Sequence, residues 1–158
     1  MTHTVHPYAH RLGIIRDWKS RWFAKSPLEY RTNVMIDTTI RRFLTKRLRG
    51  MYVTSVEIER AQNVIRILVK TSRPGLVIGR GGEGSQKLIK EIEKVVRVVK
   101  GAPKASVRLD IEEVRSPESQ APVVAYMVAE GLEKRQTFRR VLKQTVEKVM
   151  AVREVVGV

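Results

Sequence analysis

The stretch Val77-Ile78-Gly79-Arg80-Gly81-Gly82-Glu83 constrains what this chain can fold into more than any other. An apolar run meets a turn that begins and ends in glycine, and an amphipathic segment follows at once. From Glu83 onward Leu88, Ile89, Ile92, Val95, Val96 and Val99 recur at helical spacing. Lys87, Lys90 and Lys94 fall on the outer side, and Gly101 and Pro103 supply a stop. Upstream, Asn63 to Lys70 alternates like a half-buried strand, and downstream Lys104 to Val114 places Val107, Leu109 and Ile111 on one face. Two strands therefore flank a helix, a glycine turn and a second helix.

Such a turn has a chemical use. Glycine lets another backbone come close, and the first amides of the helix that follows can hydrogen-bond an anion such as phosphate. Two other glycine patterns are present and fit less well. Gly79, Gly81 and Gly84 satisfy G-x-G-x-x-G, but a dinucleotide fingerprint directly follows a strand and needs an acidic residue about 20 positions on. Here Thr71 to Ile78 intervenes, with Pro74 inside it, and the region from Lys100 to Lys104 is basic. Gly79 to Gly84 followed by Ser85 has part of a Walker spacing without its lysine. The plain alternative is a tight turn that holds nothing.

Charge narrows the choice. Thirty-one Lys and Arg against 16 Asp and Glu give +15, the footprint of a polyanion partner, whereas a membrane surface would call for one dominant basic amphipathic helix. Residues 1–50 carry 11 basic and 3 acidic groups, so the N-terminal third is the most cationic. No cysteine is present, which excludes disulfides, thiol catalysis and cysteine-ligated zinc. No apolar run approaches the roughly 18 residues of a membrane span, and His3, His6, Pro7 and His10 stand where a signal peptide would be apolar. A soluble, unexported chain with one domain or two small ones is expected.

Residues 1–25 interleave Arg11, Arg16, Lys19, Arg21 and Lys25 with Tyr8, Trp18, Trp22 and Phe23. Such an arm can set cations on phosphates and rings on bases or on apolar protein surface. Trp18 and Trp22, four apart, would equally serve to pin one helical turn to the body of the domain. The histidines have no acidic companion before Asp17, so no metal is expected. Ser26-Pro27-Leu28-Glu29 then opens a helix with a capping serine, a first-turn proline and an S-x-x-E box. It should run to about Arg49, stop at Gly50, and bury Met35, Ile36, Ile40, Phe43, Leu44 and Leu48. Tyr52 to Glu59 alternates as a strand, and Ala61-Gln62-Asn63 turns the chain into the next.

I-G-x-x-G after an apolar turn resembles the KH domain, whose GxxG loop clamps a nucleic-acid backbone while about four bases lie along the adjoining groove. The matching loop is Gly79, Arg80, Gly81 and Gly82. The order from Ser26 to Val114 is similar to the α+β, type II KH arrangement, a three-stranded sheet with helices on one face. Val5-His6-Pro7, Arg11-Leu12-Gly13-Ile14, then Trp18, Ser20, Trp22 and Phe23 resemble the opening of a more specific group, the KH-containing ribosomal protein three family of the small subunit, bacterial or organellar in type. Within that family Thr71 to Gly79 recurs as the approach to the loop, which makes Arg73 and Arg80 the first phosphate-contact candidates, with Lys87 and Lys90 behind them. Family loops often carry a basic residue where this chain has Gly81, which weakens the expected grip.

After Val114, Arg115-Ser116-Pro117-Glu118 punctuates the chain, and a helix should start afresh at Pro122, since proline inside a helix costs it about 3 kcal/mol. A last helix from about Gln136 to Arg153 should present Phe138, Val141, Leu142, Thr145, Val146 and Val149 on one side. The resemblance continues through Glu133-Lys134-Arg135 and Phe138-Arg139-Arg140. In that family, the basic residues matching Arg139, Arg140 and Lys143 line the path by which messenger RNA enters and help open its structure. The family then continues into a sheet that covers these helices. The expectation is therefore a fragment, a split gene product or a cover supplied by a neighbour, with a basic arm at 1–25, a type II KH domain at 26–114 and the helical part of an incomplete second domain at 115–158.

The resemblance implies a non-enzymatic protein of the small ribosomal subunit, cytoplasmic or in an organellar ribosome. Its partners would be ribosomal RNA, messenger RNA and neighbouring ribosomal proteins, with no cofactor, membrane or small-molecule substrate. RNA-binding residues would be Gly79, Arg80, Gly81, Gly82, Arg73, Lys87, Lys90, Arg139, Arg140, Lys143, Arg11, Arg16 and Lys19. The competing readings are a free-standing KH protein in RNA maturation or transcription, which would not need the arm, and an enzyme, for which no Ser-His-Asp set, metal cluster or nucleotide motif is found.

Overall fold

A computed structural model describes residues 4–61, 63–99, 101 and 105–157. In chain order its elements are α1 (Pro7–Arg11), β1 (Ser20–Arg21), α2 (Pro27–Arg47), β2 (Val53–Ala61), β3 (Val64–Thr71), α3 (Pro74–Ile78), a 3₁₀ turn (Arg80–Gly82), α4 (Glu83–Val98), β4 (Ser106–Glu113), a second 3₁₀ turn (Pro117–Ser119), α5 (Ala121–Glu133) and α6 (Phe138–Met150). The expected α+β order from Ser26 to Val114 is present. β2 and β3 are antiparallel, and β3 and β4 are parallel in register from Val64 opposite Ser106 to Thr71 opposite Glu113. The three-stranded sheet is extended at one edge by β1, which runs parallel to β2 with Ser20 opposite Ile58.

One face of the sheet carries the core. Ile58, Ile65, Ile67, Val69 and Val107 meet Ile36, Ile40, Leu44 and Leu48 of α2 and Leu88, Ile92 and Val96 of α4. Each such fully buried aliphatic side chain contributes roughly 1.5–3 kcal/mol. The opposite face is a lattice of charges. Arg21 pairs with Glu57 and Glu59, each at 2.8 Å, Lys70 with Glu57 at 3.1 Å and Glu112 at 3.7 Å, and Arg66 with Glu59 at 3.2 Å and with Asp110.

Ser26 caps α2 by accepting from the Glu29 amide at 3.2 Å, and Glu29 Oε2 reaches back one residue further than a standard box, to the Lys25 amide at 2.8 Å. The residues turned inward are Asn33, Ile36, Asp37, Ile40 and Leu44, so Met35, expected in the core, lies a step of about 100° off that face and is half-exposed. Nor do Trp18 and Trp22 share a helical turn, because the extended β1 separates them. Trp18 is exposed, whereas Trp22 packs against Tyr30 with ring centroids 5.4 Å apart and planes inclined at 57°, and donates from Nε1 to Asp37 Oδ2 at 2.8 Å. Asp37 also accepts from Ser20 Oγ at 2.9 Å and pairs with the buried guanidinium of Arg60. Arg41 completes the attachment, donating to the carbonyls of Val56 and Lys19, each at 2.6 Å, and to Ser20 Oγ at 2.7 Å. Burial lowers the pKa of Arg41 from its ordinary value. The arm is thus built into the sheet at β1 rather than lying loose upon it.

α2 ends at Arg47, short of the expected Arg49, and Gly50 takes a left-handed φ of 85° after it. Pro122 sits in the first turn of α5, as expected. The last helix starts at Phe138 rather than Gln136, because Arg135 adopts a left-handed φ of 58° and the Gln136 amide closes back on Gly131 O at 3.2 Å. α6 packs on α5, where a Cβ on Gly131 would stand 2.9 Å from Val141 Cγ1. Val141 and Val149 are buried there, while Phe138, Leu142, Val146 and Met150 are exposed. Gln62, Pro103, Lys104 and His3 lie outside the described residues.

Candidate nucleic-acid interface

The glycine loop is held from behind by a chain of small groups. Thr71, fully buried at the end of β3, donates from Oγ1 to Met51 O at 2.6 Å and accepts from the Arg73 amide at 3.1 Å. That bond fixes the start of α3, where Pro74 suits a first helical position. Val77 is buried and anchors the short helix, and Leu76 and Ile78 are left exposed beside the loop. α3 closes with the Gly79 amide on Gly75 O at 3.0 Å.

Gly79, Gly81 and Gly82 then take φ values of 73°, 59° and 82°, where a side chain is strained. The loop therefore needs its glycines for backbone shape and not merely for room. Gly84 is required for a different reason. A Cβ there would stand 2.8 Å from Ile78 O and 2.9 Å from Val77 O, so only glycine lets the start of α4 rest on the end of α3. In the sequence Gly84 enters only the dinucleotide and Walker patterns, neither of which fits; the spacing G-x-x-G-x-G was the available signal. Ser85 Oγ donates to Gly82 O at 2.8 Å and stiffens the turn.

The cations around the loop are unequally free. Arg80 is exposed at its tip. Arg73 is exposed too, but its guanidinium lies 4.3 Å above the ring of Tyr52. Lys87 is paired with Glu83 one turn back at 3.3 Å, whereas no ion pair holds Lys90 among the described residues. Glu83 thus sets a carboxylate in the first turn of α4, which offsets part of the charge supplied by the lysines.

The remaining candidates lie elsewhere. Arg139, Arg140 and Lys143 are on the exposed side of α6, with Arg139 5.7 Å from the Phe138 ring and Lys143 4.0 Å from Glu147. α6 packs on α5 and the Pro117–Ser119 turn, so these cations form a group distinct from the glycine loop. In the arm, Arg11 donates to Pro7 O at 2.9 Å, Lys19 lies 4.9 Å over the ring of Tyr8, and Arg16 is exposed. His6 caps α1, accepting from the Tyr8 amide at 3.1 Å, so one of the three histidines has a structural task.

Sequence reasoning missed a cleft of about 740 Å³ between the end of α2 and α5. Arg49, Tyr52, Arg73, Tyr126, Glu130 and Glu133 are among its walls. Tyr52 is a buried aromatic with a left-handed φ of 51°, and its hydroxyl meets Glu130, which also pairs with Lys134 at 2.6 Å. Lys134, and then the Tyr52 hydroxyl, hold the Glu130 carboxyl below its ordinary value, while the bond to Glu130 pushes the Tyr52 phenol up. Among the described residues no group of three or more metal-ligating side chains occurs, and no helix is long and apolar enough to cross a membrane.

Residues 39–119 match the KH domain family. Over 150 residues, 95% of its length, the chain is 38% identical to small ribosomal subunit protein uS3 of Clostridium novyi and covers 65% of that protein. It is 41% identical over 150 residues to the uS3 of Caldicellulosiruptor bescii, covering 64% of it, and 42% identical over 152 residues to the uS3 of Akkermansia muciniphila, covering 63%. The chain thus spans a little less than two thirds of the length of these relatives.

Proposed function

The chain belongs to the KH domain family, and from that premise we propose that it is a structural, non-enzymatic RNA-binding protein of the small ribosomal subunit. The observation that carries the reading is the similarity to uS3 along 95% of the chain, arm included, and it is supported by a glycine loop whose left-handed backbone, bare of side chains at Gly79, Gly81 and Gly82, leaves room for another chain to come close. In this reading the arm (1–25) and the KH domain (26–114) hold ribosomal RNA and neighbouring ribosomal proteins, through Arg11, Arg16 and Lys19 in the arm. Gly79, Arg80, Gly81 and Gly82 lie against an RNA backbone, flanked by Arg73, Lys87 and Lys90. Arg139, Arg140 and Lys143 of the helical segment (115–158) face messenger RNA as it enters. The ribosome of the cytoplasm, or of an organelle, is where it would work.

Exposed Leu76 and Ile78 beside the loop support this assignment, since they offer an apolar floor next to cations, as bases and phosphates need. Sedimentation through a sucrose gradient tests it: the native protein should travel with small ribosomal subunits. A protein that stays at the top of the gradient, free of subunits, would favour the competing assignment to RNA maturation or transcription.

A further inference from the structure

We propose that the cleft between the end of α2 and α5 is a nucleobase pocket that takes one unpaired guanine nucleotide of a single-stranded RNA. The inference rests on the RNA-binding reading above and goes beyond it, because neither the glycine loop nor the α6 cations include this cleft. Its size, about 740 Å³, lies in the range of sites that enclose small organic groups. Its position is suitable: Arg73 stands on its wall and also opens α3, whose rise of ~1.5 Å per residue sets it about 9 Å from Gly79. One strand can run from the loop into the cleft.

The chemistry of the walls selects the ligand. Tyr126 is half-buried, and among the described residues no ring or cation lies over it, so its face is available to a base. Lys46, Arg49 and Arg73 supply charge for a phosphate. Within these cations a strongly basic protein keeps two carboxylates, Glu130 and Glu133. Glu130 is engaged by Tyr52 and Lys134. Glu133 is paired with Arg49 alone among the described residues, and the two side chains are 61% and 71% exposed, so that pair is easily exchanged.

A carboxylate accepts two parallel N–H bonds. Guanine presents adjacent N1–H and N2–H donors on its Watson–Crick edge, whereas adenine and cytosine set a ring acceptor beside their amino group and uracil offers one donor between two carbonyls. Glu133 would take the guanine edge, and Arg49, released, would be free to move to the phosphate.

The test uses fluorescence anisotropy of the whole chain with single-stranded RNAs slightly longer than the roughly four nucleotides of a KH groove, guanine or adenine being scanned through each position. One position should prefer guanine by about tenfold, in keeping with a bidentate base contact. Glu133→Gln, an exposed change that leaves the fold alone, should reduce that preference to within about threefold, because the amide presents an acceptor and a donor. Tyr126→Ala, with its fold checked by circular dichroism, should weaken binding of every base at that position by roughly tenfold. No guanine-preferring position, or a preference untouched by Glu133→Gln, overturns the pocket. RNA binding with steep salt dependence but no base preference would sink the pocket and leave the RNA-binding reading standing. Failure to bind any RNA removes both.

Discussion

Replacing Asp37 tests the attachment of the arm. Its carboxylate is the single point where Ser20, Trp22 and Arg60 meet, and the side chains of Asp37 and Arg60 are 7% and 8% exposed. Asp37→Ala leaves the Arg60 guanidinium buried with no counter-charge, on top of an Nε that already has no partner among the described residues. Removing one member of a buried pair costs about 3–5 kcal/mol, a large share of the roughly 5–15 kcal/mol that holds a domain together. With a urea slope near 2 kcal/mol per molar, the unfolding midpoint should fall by about 1.5–2.5 M. Fluorescence in a Trp18→Phe background reports the arm directly, since it leaves Trp22 as the one tryptophan. The emission should shift to the red before global unfolding, as the ring leaves Tyr30.

The matched control is Asp37→Leu with Arg60→Met, which removes both charges. That pair of changes should recover most of the midpoint, because apolar replacements of a buried ion pair are often neutral, yet the arm should remain loose for want of its acceptor. A midpoint loss below roughly 0.5 M for Asp37→Ala, or a double variant no more stable than the single one, would refute the buried-charge argument.

Gly84→Ala should destabilise by about 1–3 kcal/mol and abolish binding of single-stranded RNA by forcing α3 and α4 apart, measured by urea titration and anisotropy; unchanged binding would show that the loop tolerates the shift. Arg80→Ala should lower the slope of log affinity against log salt by about 0.7, the share of one phosphate contact on a single strand. Replacing Arg139, Arg140 and Lys143 together by alanine should slow translation of structured messengers more than unstructured ones, and equal slowing would remove those residues from the messenger path. The Glu130 carboxyl is held below its ordinary value by Lys134 and Tyr52, so the stability it contributes is complete above about pH 4.5 and is lost as the pH falls through its folded-state value. Glu130→Gln should lower stability by a constant amount above about pH 5 and leave it unchanged well below the folded-state value, so that a profile from pH 7 to pH 3 becomes flatter; an equal loss at every pH would refute the assignment.

What was legible in the sequence was what local chemistry writes in a few consecutive residues. Ser26-Pro27-x-Glu29 fixed the start of α2, the spacing of Leu88, Ile92 and Val96 marked the inner face of α4, and the glycine loop announced its backbone shape. What escaped depends on partners far apart in the chain. Asp37 reads as one more polar residue of a charged helix until β1 and β2 bring Trp22 and Arg60 to it. In the sequence nothing sets Arg41 apart from Arg42, Lys46 and Arg47 on the same helix, and only its bonds to three acceptors show it to be an anchor. The four-residue interval between Trp18 and Trp22 suggested a helix because period alone carries no account of the edge that β2 offers. The cleft was invisible for the same reason, since Tyr52, Arg73 and Glu133 approach one another only after the sheet and α5 have packed.

The charge lattice across the exposed side of the sheet has a consequence for how this molecule meets a polyanion. Glu57, Glu59, Asp110 and Glu112 balance Arg21, Arg66, Lys70 and the neighbouring Arg108, so that side is close to neutral although the chain carries +15. Its surplus of positive charge therefore lies elsewhere, on the arm, the glycine loop and the helices. Within a Debye length, about 8 Å at physiological salt, such an imbalance would turn the sheet away from an approaching polyanion, RNA in the proposed function, before any atom touches. In the proposed function an encounter would thus begin already oriented, with the backs of the strands turned from the nucleic acid.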